Sequence, residues 1–442
     1  MRDIQVASTV EFLKHLIPSV RVIETPWKKD EFLRKRSNKL FGNYCGAGQF
    51  REKQTFGLWF EQPTNHICEL TIERKELPLT ENEWKLVSVF ASVMRDLRVT
   101  SLDRASSAIQ RIASAYSLNH LIVARYIRGP NSHIFSTTLF ALRLLQELSL
   151  QKYEGNPCSS GFVFSSEPEL LLKKTDAAGF VFNRFQHEIR FAEGFFSSPA
   201  SYRYVDGRNA FYLLDNRGNI HGVLRCSHPS RYALSDRVCN QHLKPLLAGD
   251  EGRNWAAYVG FNDDVNVVRK TGQQLRWVKG HWHFLDRGLI EEIVVRSGLS
   301  NADAHSIVAA LLTLSELRMG GLLLVLDSED KRPPAAGHID RSNLGKSLFS
   351  ITEGNAVGDL AQTGALVGIL SSDGLTTVRK DGKLVGAGEI INVEATSGSI
   401  VTGGGRTQAA KSASRFGLAI KVSADGPVSL FMNGEQLISF RL

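Results

Sequence analysis

The sequence is poor in sulfur: five cysteines and four methionines in 442 residues. Cys45, Cys68, Cys158, Cys226 and Cys239 are odd in number, widely spaced and never arranged as CxxC. That pattern excludes a disulfide framework and a zinc ribbon and reads as free thiols in a reducing cytoplasm. Long apolar runs are missing too. No stretch approaches the ~20 residues that a membrane span needs. The opening MRDIQVASTVEFLKHL alternates charged with apolar residues and has neither the apolar stretch nor the cleavage site of a secretory leader. The expectation is a cytoplasmic protein with no membrane partner. What is present is ordinary: 43% hydrophobic and 22% charged residues, the balance of a folded globular chain. At roughly 100–200 residues per domain the length predicts two to four domains.

Lys and Arg number 53 against 45 Asp and Glu, for a net charge of +8. The densest basic patch holds Lys28, Lys29, Arg34, Lys35, Arg36, Lys39, Arg51 and Lys53. Such a patch could meet nucleic acid or phosphate, and a solvated helix face accounts for it equally. Nucleic acid is therefore not the favoured partner. Residues 1–125 read as an α/β domain. A helix is predicted near Ser8–His15, strands at Thr55–Phe60 and Ile67–Ile72, and a capping box at Thr80-x-x-Glu83 opening a helix through Leu97. A further helix is predicted at Leu102–Tyr116. No His pair, phosphate loop or nucleophile elbow occurs there.

The remainder looks duplicated. A helix at Ser136–Leu150 leads into Gly161–Phe164, and a helix at Ala304–Arg318 leads into Gly321–Leu326. A hairpin follows in each half, turning at Asn216-Arg-Gly218 and at Asp381-Gly382. A three-strand pattern ends each half, with turns at Thr271-Gly272 and Asn433-Gly434. Asp206 and Asp373 are 167 residues apart, Gly218 and Gly382 are 164 apart, and Gly272 and Gly434 are 162 apart. One such turn would mean little, because these dipeptides mark hairpins everywhere. Three in register predict two copies of one α/β unit, at about 130–287 and 289–442. A Pro/Gly-rich break at 329–337 lies inside the second copy, followed by a short helix at Asn343–Phe349. His281 and His283 flank Trp282 and would share a strand face, as metal ligands do, but no third ligand stands nearby in the sequence.

The second copy carries Asp373-Gly374-Leu375 and Gly404-Gly405-Arg406-Thr407-Gln408-Ala409-Ala410. It resembles the diadenylate cyclase (DAC) domain, whose marks are a DGA motif and an RHR motif within a Gly-Thr-Arg-His-Arg-Ala-Ala stretch. The match covers about 290–442. Residues 130–287 match through the internal repeat, and 1–125 do not match. The resemblance implies mixed sheets flanked by helices, in two tandem DAC-like domains after the N-terminal α/β domain. It also implies an Asp that helps bind Mg²⁺ or Mn²⁺ and activates a ribose hydroxyl, and an Arg-His-Arg run that holds phosphates. In this chain Leu375 replaces the Ala, Thr407 the His and Gln408 the second Arg, while Asp373, Gly374, Gly404 and Arg406 are kept. The first copy keeps Asp206-Gly207-Arg208 and has no counterpart of the phosphate-holding run, which makes it a degenerate equivalent.

Loss of one preorganised donor typically costs about 10²–10³ in rate, and independent loss of two about 10⁴–10⁶. Ground-state binding suffers less, because a hydrogen bond to a charged group is worth roughly 1.5–3 kcal/mol. The expected site is nucleotide-binding, with Asp373, Gly374, Leu375, Gly404, Gly405, Arg406, Thr407 and Gln408 around the ligand. Asp373 would be its metal ligand and, if the site turns over, its catalytic group. The resemblance is strongest to the diverged DACNV-type sensors of bacterial signalling and anti-phage defence. It implies a receptor for a nucleotide or cyclic dinucleotide, working as a homo-oligomer or through an effector protein. The alternative is an active cyclase condensing two ATP to cyclic di-AMP.

Overall fold

A computed structural model of the chain describes residues 6–36, 47–52, 55–62, 66–99, 118–129, 136–227, 238, 240–249, 253–260, 262–270, 272, 274–328, 331–340, 342–397 and 404–440. The chain divides into two compact units. The first takes in Met1–Arg225, Lys244–Val259 and Asp263–Phe284. The second takes in Cys226–Leu243, Gly260–Asn262 and Leu285–Leu442.

The first unit begins with α1 (Val6–Leu16), β1 (Arg21–Lys28), α2 (Lys29–Arg36), β2 (Ala47–Glu52), β3 (Thr55–Glu61) and β4 (His66–Glu73). The strands form an antiparallel sheet in the order β1-β4-β3-β2. β3 is buried on both faces. Phe56, Leu58 and Phe60 enter the main core, while Trp59 packs with Phe32, Phe50 and Ile67 beneath α2. Much of the basic patch has local partners. Lys29 bonds to Glu61 at 2.8 Å, Lys35 lies 4.5 Å over the Trp27 ring, and Arg51 pairs with Glu81.

The predicted capping box opens α3 (Glu81–Val99). The Glu83 amide donates to Thr80 Oγ1 at 3.2 Å, and the Thr80 amide donates to Glu83 Oε2 at 2.7 Å, satisfying two end groups reciprocally. The other Glu83 oxygen takes the Arg74 guanidinium, and neither side chain is more than 1% exposed. Arg74 also donates to the Pro18 and Pro78 carbonyls. The cap is thereby tied to the strand end. The helix expected at Leu102–Tyr116 lies outside the described residues. α4 (Leu118–Arg128) is buried almost all round, because α3 packs on one side and α5 (Ser136–Ser149) on another.

α5 covers an eight-stranded sheet. Its strands are β5 (Gly161–Ser165), β6 (Phe180–Arg190), β7 (Ala210–Leu214), β8 (Asn219–Cys226), β9 (Asn254–Val259), β10 (Val265–Val268), β11 (Gln274–Val278) and β12 (His281–Leu285), in the order β12-β11-β10-β9-β5-β7-β8-β6.

The second unit starts with α6 (Arg287–Arg296) and α7 (Asn301–Glu316). β13 (Gly321–Leu326), β14 (Ala335–His338), α8 (Asn343–Thr352), α9 (Val357–Gln362), α10 (Ala365–Ser371), β15 (Leu375–Val378) and β16 (Leu384–Ile391) follow. The unit ends with α11 (Gly405–Ala413), β17 (Gly417–Val422), β18 (Val428–Met432) and β19 (Glu435–Phe440). The sheet order is β14-β16-β15-β13-β17-β18-β19. α7 and α10 pack on one face of the sheet, and α11 packs on the other.

Strand for strand, β6-β8-β7-β5-β9-β10-β11 matches β14-β16-β15-β13-β17-β18-β19 in order along the sheet and in order along the chain. β5–β7 and β13–β15 are each parallel, and each pair is flanked by antiparallel neighbours. Both sheets are mixed and flanked by helices. Among the described residues no helix is long and apolar enough to cross a membrane, and Cys68, Cys158 and Cys226 are free thiols.

Glu83→Ala would leave the buried Arg74 charge unpaired, a change that costs about 3–5 kcal/mol. Thr80→Ala loses only the cap, about 0.5–2 kcal/mol. Urea unfolding followed by tryptophan fluorescence should therefore rank wild type above Thr80→Ala and Thr80→Ala above Glu83→Ala. Equal midpoints for the two variants would contradict the ion-paired cap.

Candidate functional site

The site is built at one end of the three central strands of the second unit. β13 and β15 run parallel, with Leu323 opposite Thr376, so their N-termini share an edge. Gly320-Gly321 therefore starts beside Asp373-Gly374. β17 runs antiparallel to β13, with Lys421 opposite Leu322 and Val422 opposite Gly321, and so brings its C-terminal end to the same edge. α11 starts above it.

The structure brings together the two charged residues singled out in the sequence. Arg406 Nη2 donates to Asp373 Oδ1 at 2.5 Å, with the side chains 40% and 67% exposed. A Cβ on Gly320 would collide with the Arg406 guanidinium, so the arginine packs against bare backbone. Gly374 has φ +99°, and a Cβ there would come within 2.6 Å of the Gly388 carbonyl carbon. Only glycine fits that close approach of two strands. Gly404 caps α11 without a side-chain bond, and both Gly404 and Gly405 face open space. The Thr407 and Gln408 amides donate to the Gly404 carbonyl at 2.8 and 3.1 Å. Leu375 is placed differently from its expected role beside a ligand. At 1% exposed it belongs to the apolar cluster under α11 with Leu322, Leu324 and Ala410.

Sequence reasoning missed three residues near this edge. Lys421, on β17, donates from Nζ to Thr407 Oγ1 at 2.9 Å. Burial lowers its pKa below the usual lysine value; Asp425 opposes that shift and the Arg406 charge adds to it. Glu389, opposite Leu375 across β15–β16, accepts from Thr377 Oγ1 at 3.3 Å. Its carboxyl is raised above the ordinary range chiefly by burial, with Thr377, Arg332 and His338 pulling the other way. The His338 ring lies where a side chain on Gly388 would meet it at 3.1 Å. The one available signal was a lysine inside an otherwise apolar strand, Gly417-Leu-Ala-Ile-Lys-Val.

The first copy uses its aspartate differently. Asp206 Oδ1 accepts from the amides of Arg208, Asn209 and Ala210 at 2.9, 2.8 and 2.9 Å, and Oδ2 accepts from Asn209 Nδ2 at 3.0 Å. Burial raises the Asp206 pKa, but these donors outweigh it and leave the carboxyl below its usual value. Asp206 staples its own turn. Asp373 accepts from no backbone amide among the described residues, because the chain enters β15 at Leu375 while the first copy reaches β7 only at Ala210.

His281 and His283 do share a face of β12, and His15 of α1 joins them, stacked on His281 with ring centroids 4.0 Å apart. His15 also bonds to Glu11 at 2.8 Å. Among the described residues no group of three or more His, Cys, Asp or Glu is arranged to hold a metal ion.

The Asp206 staple predicts a pH-dependent stability. A carboxyl lowered in the folded state stabilises fully above its unfolded pKa of about 3.9, and the gain is lost as pH falls through the lower folded value. Asp206→Ala should therefore cost about 2 kcal/mol at pH 7, the scale of hydrogen bonds to a charged acceptor, and progressively less in acid below pH 4. Asp373→Ala should change unfolding little at any pH. Urea titrations at pH 7 and pH 3 check both, and a pH-independent loss for Asp206→Ala would contradict the staple.

No family model matches the chain, and no curated protein matches it. Among solved structures, one of a hypothetical membrane spanning protein from Bacillus cereus is similar at 20% identity over 32% of this chain, with a TM-score of 0.24; the chain spans 64% of that structure's length.

Proposed function

We propose that the second unit binds a phosphate-bearing nucleotide or cyclic dinucleotide between the Asp373-Gly374 turn and the start of α11, and that the protein acts as a sensor. The observation that carries this reading is the Asp373–Arg406 pair, formed by residues 33 positions apart at an edge lined by bare glycine backbone. A phosphate competes well for such an arginine, since guanidinium–phosphate bonds are charge-assisted and often bidentate. The start of α11 adds a partial positive charge and amide donors facing the same way.

Asp373 is a single carboxylate, and Mg²⁺ is commonly held by one or two carboxylates together with substrate phosphates. It therefore fits Mg²⁺ or Mn²⁺ arriving with a nucleotide once Arg406 turns to the phosphate. With Thr407 and Gln408 in place of the family's His and Arg, positioned cations for a developing negative charge are fewer. Binding with slow or no turnover follows, which suits a cytoplasmic receptor in bacterial signalling or anti-phage defence. An oligomeric partner or effector would carry the output.

Calorimetry with ATP, other nucleotides and cyclic di-AMP tests the reading. At least one should bind the wild type, and Arg406→Ala should weaken it by about 10–150-fold, the equivalent of roughly 1.5–3 kcal/mol. Gly320→Ala should keep the fold while displacing the guanidinium, and should weaken binding in the same direction. Absence of any nucleotide binding, or equal binding by Arg406→Ala, would overturn the site. Fast Mn²⁺-dependent formation of cyclic di-AMP, abolished in Asp373→Asn, would favour the cyclase reading instead.

A further inference from the structure

Lys421 is an expensive residue where it stands. Its strand neighbours Ala419, Ile420 and Val422 are buried, and the lysine shares the sheet face that α11 covers. Lysine is seldom withdrawn from water without a paired charge, and Lys421 is half-buried with the Asp425 carboxylate acting on it through space, yet its hydrogen-bond partner among the described residues is a neutral hydroxyl, Thr407 Oγ1. Thr407 follows Arg406 in the first turn of α11. Two cations from two separate elements thus converge on one helix start.

The internal duplication supplies an independent comparison. Gly161 and Gly321 open the equivalent strands β5 and β13. Phe162 and Leu323 are equivalent, each paired with the parallel neighbour, at Tyr212 and Thr376, and they face Ala257 and Ile420; the next residue along each facing strand is Tyr258 in the first copy and Lys421 in the second. The copy that stapled its aspartate carries tyrosine at this place, and the copy that left its aspartate exposed carries lysine. The cation thus accompanies the exposed aspartate and is absent beside the stapled one.

We propose that Lys421 is the second phosphate-binding cation of the site, held in place by the Thr407 hydroxyl and contacting the same phosphate group as Arg406. The inference rests on the nucleotide-binding reading and adds the residue that makes up for charge missing from the Thr407 and Gln408 positions. The ligand chemistry it implies is a phosphate oxygen carrying at least one full negative charge, whether from a polyphosphate chain or a phosphodiester.

The test is calorimetric titration of the full chain with inorganic pyrophosphate, ATP and cyclic di-AMP at fixed salt, on wild type, Lys421→Met, Lys421→Arg and Arg406→Ala. Lys421→Met should bind at least 10-fold more weakly while unfolding at the same or a higher temperature, because it removes a desolvated charge and keeps the apolar stem. Lys421→Arg should stay within a few-fold of wild type. Binding of ATP or pyrophosphate without cyclic di-AMP would identify a polyphosphate ligand, and the converse a phosphodiester. If Arg406→Ala weakens binding and Lys421→Met does not, the role of Lys421 is overturned while the nucleotide site stands. If Lys421→Met loses stability and binding together and Lys421→Arg rescues only stability, the lysine is structural and the proposal fails. If pyrophosphate binds in a Lys421-dependent way and no nucleotide does, the cation role stands and the nucleotide reading falls. If the wild type binds none of the three, both fall.

Discussion

Each large sheet of this protein has a parallel pair at its centre, β5 with β7 and β13 with β15, flanked on both sides by antiparallel neighbours. Parallel neighbours cannot be joined by a hairpin and need a long crossover. In the second unit that crossover holds β14, α8, α9 and α10. It also forces the N-terminal ends of two central strands to one edge, and the antiparallel β17 adds its C-terminal end there. Gly320, Asp373, Arg406 and Lys421 owe their proximity to that arrangement. A sheet with only hairpin connections would spread them over both ends.

The two copies show one scaffold under two different local chemistries. In the first copy the turn is long enough for Asp206 to reach three successive amides. Its charge is consumed in holding the backbone, and the neighbouring strand position is Tyr258. In the second copy the turn enters β15 directly, Asp373 faces water and meets Arg406, and the neighbouring strand places Lys421 against Thr407. The first arrangement lowers the free energy of the fold. The second holds charge in costly places, and such departures from local stability are where function concentrates.

Much of this was legible in the chain. The Asp-Gly and Asn-Gly turns announced the hairpins, and their spacing announced the duplication, because turn chemistry is local and few residues tolerate positive φ. The capping box at Thr80 and Glu83 was legible for the same reason. The Asp373–Arg406 pair was less so, since it depends on a register between strands that no local pattern encodes. Leu375 shows the limit from the other side: beside a motif it reads as a pocket residue, and packing under α11 makes it core. Lys421 was hidden because its strand has the run of apolar residues expected of a central strand, and one lysine in it looks like an exposed exception until the sheet face is known. The stapling of Asp206 could not be told from Asp373, because both begin with the same Asp-Gly pair.

The claim on which the account turns is that ligand binding belongs to the start of α11 and the end of β17 in the second copy, and not to the equivalent turn in the first. Hydrogen exchange with and without a saturating phosphate ligand measures this directly. Slowed exchange is expected in amides of 404–410 and 417–422, with the amides of 206–210 unchanged. Protection centred on the Asp206 turn, or a bound ligand with no protection at the start of α11, would contradict it.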